Sequence, residues 1–480
     1  MSAFPAMLLP ALPSALAEGI DARQLIYLIS LFVASMLFIL GLRGLSHADT
    51  ARRGMQMAAV GMFVAVVGTL LHERIVSYEW IVGGLVVGTV IGIPMGLWIP
   101  MTKMPERIAL SHAFGGLAVA LVGIAEYTTH YHGLTRFDAG AVGFEVLLGA
   151  VTFTGSLMAF GKLQGILPGR PQTFPLQNIL NFLLLGVAAV LLVMLVVHPG
   201  MEWFFLALAA MGFLLGILLV LPIGGADMPV VICLLNSYAG LAAAATGFAL
   251  DSPVLIVCGS LDGGSGFLLA LIMSKAMNRS FRNVLFGAFG AVVQTPGAGG
   301  KSDAAVREGS VEDAAELLKA AGSVIFVPGY GMAVAQAQHA VRELSELLQK
   351  NGTTVRYAIH PVAGRMPGHM NVLLAEANVP YDQLFELESI NDDFQHTDVS
   401  VVVGANDVVN PAARTTKDSP IYGMPILNAD KSKATIVLKR GMSPGFAGIE
   451  NELFVSPNTM MVFGDAKATL TKVAGVIKEG

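Results

Sequence analysis

Charge is scarce in this chain. Asp, Glu, Lys and Arg make up 13% of its 480 residues and hydrophobic residues 54%, whereas soluble globular proteins carry about 25% charge. With a mean hydropathy of +0.66, most of the chain must be solvated by lipid. Cysteine is nearly absent. Cys233 and Cys258 lie in apolar segments and form no C-x-x-C pair, which argues against a disulfide framework or a cysteine metal site. There is no long basic run either. With a net charge of −5, nucleic acid is not an expected partner.

The charge that is present lies towards one end, with 26 charged residues in 1–300 and 37 in 301–480. The chain therefore divides into an N-terminal extension (1–23), a membrane domain (24–282), a Gly-rich linker (283–309, with Pro296 and Lys301) and a domain of soluble composition (310–480). Apolar runs long enough to cross the roughly 30 Å hydrocarbon layer as helices fall near 24–42, 54–72, 80–99, 108–128, 140–161, 179–198, 203–222, 228–250 and 253–274. Their loops place Arg43, Arg52, Arg53, Lys103, Arg107, Lys162, Arg170, Lys275, Arg279 and Arg282 on one side, but only Arg23, Arg74 and Arg136 on the other. The positive-inside bias predicts the N-terminus outside and the last domain in the cytosol, which an odd number of spans requires. Residues 1–17 end in Ala15, Leu16 and Ala17, as a signal-peptidase site does, yet no Lys or Arg precedes the apolar run. Signal peptide and uncleaved extension both remain open.

Ionisable groups within spans are costly and are functional candidates. His112 sits a little inside the fourth span, with Glu126 14 residues on and near the same helix face. Asp227 opens the eighth span, Asn236 follows within it, and Glu145 lies at the outer end of the fifth. One reading is a proton path with His112 as relay, since imidazole titrates near neutrality. The other is that His112 and Asn236 only hydrogen-bond between helices. The glycine-rich stretches GGLVVGTVIG (83–92) and GSLDGGSG (259–266) predict close helix packing, with Asp262 adding a carboxylate to the second.

In the last domain, S-V-E-D at 310–313 resembles a capping box opening a helix. Short apolar runs at 324–328, 354–360, 400–404, 434–438 and 460–463 alternate with helical or loop stretches, which predicts a parallel sheet covered by helices. The first run leads into G-x-G-x-x-V, from Gly329 and Gly331 to Val334. A strand before it and a helix after it supply the context of a dinucleotide fingerprint, whose glycines and helix N-terminus would meet a pyrophosphate. The second strand ends in Ile359 and His360, without the acid that holds an NAD ribose. Lys439 and Arg440 end a later strand before a glycine loop. Two cations there suit a 2′-phosphate and so NADP, although a solvated charged strand end accounts for them as well.

The strings GGADMPVV, LNSYAG, KAMNRSF, PGYGMAVAQAQ, IHPVAGRMPGHMNVLLAEANVPYD, INDDF, GANDVVNPAA and FGDAK span both halves of the chain. They resemble the β subunit of proton-translocating NAD(P) transhydrogenase. The resemblance implies a bacterial inner-membrane protein with nine transmembrane helices and a cytosolic Rossmann-like α/β domain that holds NADP(H). It also implies a Re/Si-specific enzyme whose partner α subunit carries NAD(H), assembled as a dimer of αβ units. Hydride then passes between the two nicotinamides, coupled to a proton crossing the membrane, and NADP lies inverted relative to other Rossmann domains. By position, the resemblance puts Tyr330 against the cofactor and gives the loop of Val362, Ala363, Gly364, Arg365, Met366 and Pro367 an Arg365 that neutralises the pyrophosphate. Gly404, Ala405, Asn406, Asp407 and Val408 would meet the nicotinamide half, with Asp407 open to coupling with protonation. Lys439 and Arg440 would bind the 2′-phosphate under a lid formed by Gly441, Met442, Gly445 and Phe446, and Asp465 and Ala466 would end the last strand nearby. His112, Asp227, Asn236 and Gly266 match positions tied to proton movement. Gly441 stands where many members have serine, and Asp262 where some have an apolar residue.

Two rival functions remain at this level. One is a transporter or channel regulated by an NADP-sensing domain, against which the odd span count and lack of an inverted repeat argue. The other is a flavin or quinone oxidoreductase, for which a second fingerprint or haem-spaced histidines are missing.

Overall fold

The computed structural model describes residues 22–276 and 306–479, apart from 73–74, 76, 100–102, 131–132, 169–171, 225–226, 366–367, 418, 420 and 446. Among the described residues nine long helices precede a six-stranded sheet. They are α1 (Ala22–Gly44), α2 (Ala48–Thr69), α3 (Glu79–Leu97), α4 (Met104–His130), α5 (Arg136–Gln164), α6 (Gln177–Val197), α7 (Glu202–Val220), α8 (Met228–Ala249) and α9 (Pro253–Ala276). Eight are long and apolar enough to cross a membrane. The ninth, α2, has Arg52 and Arg53 in its opening turns and a less apolar composition. The basic residues Arg74, Arg170, Arg279 and Arg282 lie outside the described residues, as do the extension up to 21 and most of the expected linker.

Two compact units form, one taking the chain up to Trp98 with Gly240–Asp262, the other Ile99–Ala239 with Gly263–Gly480. In the first, α1 packs against α2 through facing glycines: a Cβ on Gly41 would lie 2.9 Å from the Gly54 carbonyl oxygen. The helix α3 buries none of its residues and ends in exposed tryptophans, Trp80 and Trp98, a placement suited to membrane interfaces.

In the second unit α5 is the central helix, buried along most of its length against α4, α6 and α7. Gly116 and Gly149 let α4 and α5 approach until backbones touch, since a Cβ on Gly149 would lie 2.9 Å from the Ala120 nitrogen. The capping box of Thr135 and Asp138 starts α5. Lys162, near its end, donates to the carbonyls of Val220, Leu221 and Ile223 at and just after the end of α7. The cation thereby satisfies the orphan acceptors of that helix terminus and favours its negative dipole end.

The same unit holds the sheet domain. The expected capping box is present at Ser310 and Asp313 and opens α10 (Val311–Ala320). Strands β1 (Ser323–Pro328), β2 (Thr354–Ile359), β3 (Leu384–Glu386), β4 (Val399–Val403), β5 (Ala434–Lys439) and β6 (Thr459–Phe463) pair in parallel in the order 3-2-1-4-5-6. Alternation along β1 sends Val324 and Phe326 to one face, under α10, α12 (Gln338–Lys350) and α14 (Ala466–Glu479). Ile325 and Val327 go to the other face, which is covered by Ile390, Phe394, Leu427 and Phe454. Burial on both faces explains why these strands read as continuous apolar runs.

The helix expected after the glycine fingerprint is broken. Tyr330–Val334 makes only a five-residue turn, α11, before Gln336 takes a positive φ of 49° and α12 starts afresh at Gln338.

Candidate functional site

The strand order reverses direction between β1 and β4, which run side by side with their carboxyl ends adjacent. Open parallel sheets bind ligands outside the strand ends at such a point. A cleft of about 810 Å³ occupies that position here, in the upper part of the roughly 300–1,000 Å³ range of small-molecule sites. Gly329, Tyr330, Gly331, Val362, Ala363 and Gly364 line it from one side. Gly404, Ala405, Asn406, Asp407 and Val408 line its floor, and Lys439, Arg440, Gly441 and Gly445 its far wall. Ala466 and Asp227 also line it, so the start of α8 reaches the cleft.

The fingerprint glycines make room for backbone. A Cβ on Gly329 would fall 2.3 Å from the Ala405 Cα, and one on Gly331 2.7 Å from the Gly404 Cα. The Gly329 N–H donates to the Val403 carbonyl and the Gly331 N–H to that of Gly404, both at 2.9 Å. Gly404 itself turns with φ +64°, a region open to glycine at no steric cost. The ends of β1 and β4 are thus locked together, and the N–H groups of both glycines are taken by backbone carbonyls while the residues still line the cleft.

Asp407 lies across the cleft from the fingerprint. Its Oδ2 accepts from the Ala447 N–H at 3.0 Å. Asn451 Nδ2 donates to both Asn406 oxygens, and Asn410 Nδ2 to the Glu450 carbonyl. The floor loop and the loop after β5 are therefore one hydrogen-bonded body. Lys439 donates to the Ser443 carbonyl and stands 5.2 Å over the Phe454 ring. Burial lowers its pKa, and the Asp407 carboxylate partly restores it. Arg440 is exposed.

The loop after β2 is set by two histidines. His360 Nε2 donates to the Pro425 carbonyl at 2.8 Å while Nδ1 accepts from the Val362 N–H, an arrangement that fixes a neutral ring. Burial pushes its pKa down to about 4, against the pull of the Pro425 bond. His369 Nδ1 accepts from the Arg365 N–H, and burial followed by the Arg365 charge lowers its pKa to about 4 as well. The Arg365 side chain turns away to Glu106 Oε1 of α4, at 2.9 Å, and to the Leu163 carbonyl of α5, at 2.8 Å. Its guanidinium lies 4.5 Å over the Tyr330 ring.

Several expected residues are placed elsewhere. Val334 is exposed at the end of the fingerprint turn, and it, Arg365, Met442 and Asp465 are absent from the cleft lining. Asp465 Oδ1 accepts from the Ala468 N–H and so caps the start of α14. Met366, Pro367 and Phe446 lie outside the described residues. In return, Ile421, Met424, Leu438, Ser443 and Pro444 line the cleft without having been singled out. Ile421 and Met424 come from a long loop with no periodic signal. Glu106 was missed too; an acid between Lys103 and Arg107 at a helix start was its only mark.

Within the helices, His112 Nδ1 is 3.0 Å from Ser156 Oγ of α5. A Cβ on Gly266 of α9 would sit 3.2 Å from Asn236 Nδ2 of α8, so these two positions face each other. Glu126 pairs with His130 of its own helix at 3.0 Å, whereas Glu145 is fully buried. No group of three or more His, Cys, Asp or Glu is placed to hold a metal among the described residues.

A bundle of membrane helices joined to a parallel sheet with a cleft at its switch point defines a membrane protein with a nucleotide-type α/β domain. The profile of the NAD(P) transhydrogenase beta subunit family matches residues 27–475. Two proteins named NAD(P) transhydrogenase subunit beta, both from Rhodospirillum rubrum, are 51% identical over 445 residues, 91% of this chain and 95% of theirs. The chain belongs to the NAD(P) transhydrogenase beta subunit family. Membership implies a nicotinamide nucleotide as ligand and an alpha subunit as partner.

Proposed function

We propose that this chain holds NADP(H) in the cleft at the sheet's switch point and takes part in hydride exchange with NAD(H) on the alpha subunit, coupled to proton translocation. The observation that carries the reading is the pairing of Lys439 and Arg440, at the end of β5, with a β2 end that offers only Ile359 and the neutral, buried His360. Two cations and no ribose-binding acid favour a 2′-phosphate over a 2′-hydroxyl. The hydride chemistry is the nicotinamide's own. The chain's residues bind and orient: Tyr330 and Val362–Gly364 flank one side, and the tied loops of Asp407 and Ala447 close over the other.

The proton side rests on His112, bonded to Ser156 between α4 and α5, with Asp227 at the cleft and Asn236 facing Gly266. The asymmetry of Lys and Arg between loops supports an outside N-terminus and a cytosolic sheet domain. An inner-membrane location and a dimer of alpha–beta units complete the proposal. The deciding experiment is competition calorimetry on the purified alpha–beta complex, in which NADP+ and NAD+ are each asked to displace NADPH from this cleft. NADP+ should bind much more tightly, and Lys439→Ala with Arg440→Ala should erase most of the difference, at about 1.5–3 kcal/mol for each charge-assisted bond. Equal displacement of NADPH by both nucleotides in the unchanged protein would refute it.

A further inference from the structure

Arg365 lies beside the cleft, over the Tyr330 ring, without lining it. Val362, Ala363 and Gly364 line the cleft and Arg365 follows them directly, yet its side chain leaves for the helices. One nitrogen, Nη1, makes both of its bonds, to Glu106 Oε1 and to the Leu163 carbonyl. Glu106 is nearly buried, its side chain 8% exposed, and its Oε2 has no hydrogen-bond partner among the described residues. An unconstrained arginine and carboxylate favour a two-pronged pair; this one is single. Within the described residues, Arg365 Nη2 and Nε donate to nothing, so the fork keeps donors for a second anion. The Tyr330 ring beneath the guanidinium also lines the cleft, so the group lies at the cleft's margin.

We propose that Glu106 is a positioning residue that competes with the dinucleotide's pyrophosphate for Arg365, so that nucleotide binding proceeds by exchange of one anion for the other on this guanidinium. The inference rests on the reading of the cleft as the NADP(H) site. Its electrostatic basis is simple. Paired with Glu106, Arg365 presents almost no net charge to an incoming phosphate, and released from it, a full positive charge in a partly desolvated place. Glu106 therefore weakens nucleotide binding, and bound nucleotide weakens the hold of the loop on α4. Such coupling is reciprocal by thermodynamic necessity. The helix whose first turn loses this partner also carries His112, six residues and roughly 9 Å further along. Occupancy of the cleft thus changes the charge balance at the start of the helix that bears the proposed proton relay.

The test is NADP+ affinity by calorimetry on the alpha–beta complex in lipid nanodiscs, with Glu106→Gln, Arg365→Gln and the pair combined. Glu106→Gln should bind NADP+ about fivefold more tightly or better, the lower bound of typical couplings. Arg365→Gln should bind more weakly, and the double variant should match it, because no cation remains to be released. A merely structural Glu106 would weaken binding or leave it unchanged when replaced. Glu106→Asp draws the charge back by one methylene and should fall between; it stands in if the Gln variant fails to assemble. No tightening in either, while Arg365→Gln weakens binding, overturns the exchange alone. Wild-type affinity in Arg365→Gln overturns it together with the pyrophosphate contact, and leaves the 2′-phosphate reading to its own test.

Discussion

Asp407 holds the loop after β5 by its end: the carboxylate accepts the Ala447 N–H at 3.0 Å, and Gly445 packs so close that a Cβ there would lie 2.4 Å from the same carboxylate. A floor residue of the cleft thereby anchors the loop after β5, the proposed lid. Asp407→Ala removes a charged acceptor worth about 1.5–3 kcal/mol. If the lid governs escape, NADP+ should leave roughly 10- to 100-fold faster, as read by stopped-flow displacement from the complex. An unchanged release rate would show that the lid closes by other contacts.

Gly329 and Gly331 should tolerate no side chain. The contacts that alanine would make there are with backbone of 404–405, which cannot swing aside. Gly329→Ala should cost about 3 kcal/mol or more and lower the melting temperature of the sheet domain. Gly475, in the middle of α14 with open space around its Cα, is the control. Gly475→Ala should raise stability by about 0.5–1 kcal/mol. Equal effects at the two sites would contradict the packing described.

The two buried histidines give the sheet domain an acid limit. Their folded pKa values lie at about 4, below the unfolded 6.5. Between these values the unfolded chain binds more protons, so stability is complete above pH 6.5 and falls as pH drops towards 4. For His360, the more buried, the full loss approaches about 3 kcal/mol. Thermal melts across this range should show a slope that flattens in His360→Gln. A wild-type melting temperature that is constant from pH 7 to 4.5 would contradict it.

His112 is expected to carry protons and not merely to bridge helices. Its ring bonds Ser156 through Nδ1, and Nε2 is buried without a hydrogen-bond partner among the described residues. His112→Ala should abolish proton uptake into vesicles and depress coupled hydride transfer. His112→Asn keeps a hydrogen-bonding group but cannot change its charge, so it should also fail to pump. Normal pumping by His112→Asn, in protein that co-purifies with the alpha subunit, would return the residue to a structural role. Ser156→Ala should slow pumping without abolishing it.

Much of this protein was legible in the residues alone. Lipid-facing runs of about 20 apolar residues announce themselves by composition, because a helix needs no partner to satisfy its backbone in lipid. The five longer strands of the sheet were visible because burial on both faces makes them apolar throughout; β3, three residues with no buried face, was not. The capping box at Ser310 and Asp313 is a local pattern closed by hydrogen bonds across three residues, so the sequence spelled it out.

What the tertiary structure decided was which distant groups meet. The spacing of Gly329 and Gly331 marked a site of close approach, but only the parallel pairing of β1 with β4 revealed that Gly404 and Ala405 fill it. Asp465 follows the last strand, and the fold also makes it the cap of α14, which starts beside it. Arg365 and Glu106 stand 259 positions apart. No local propensity couples charges at that separation; the chain had to fold the loop after β2 onto the ends of α4 and α5 before one carboxylate could claim one guanidinium.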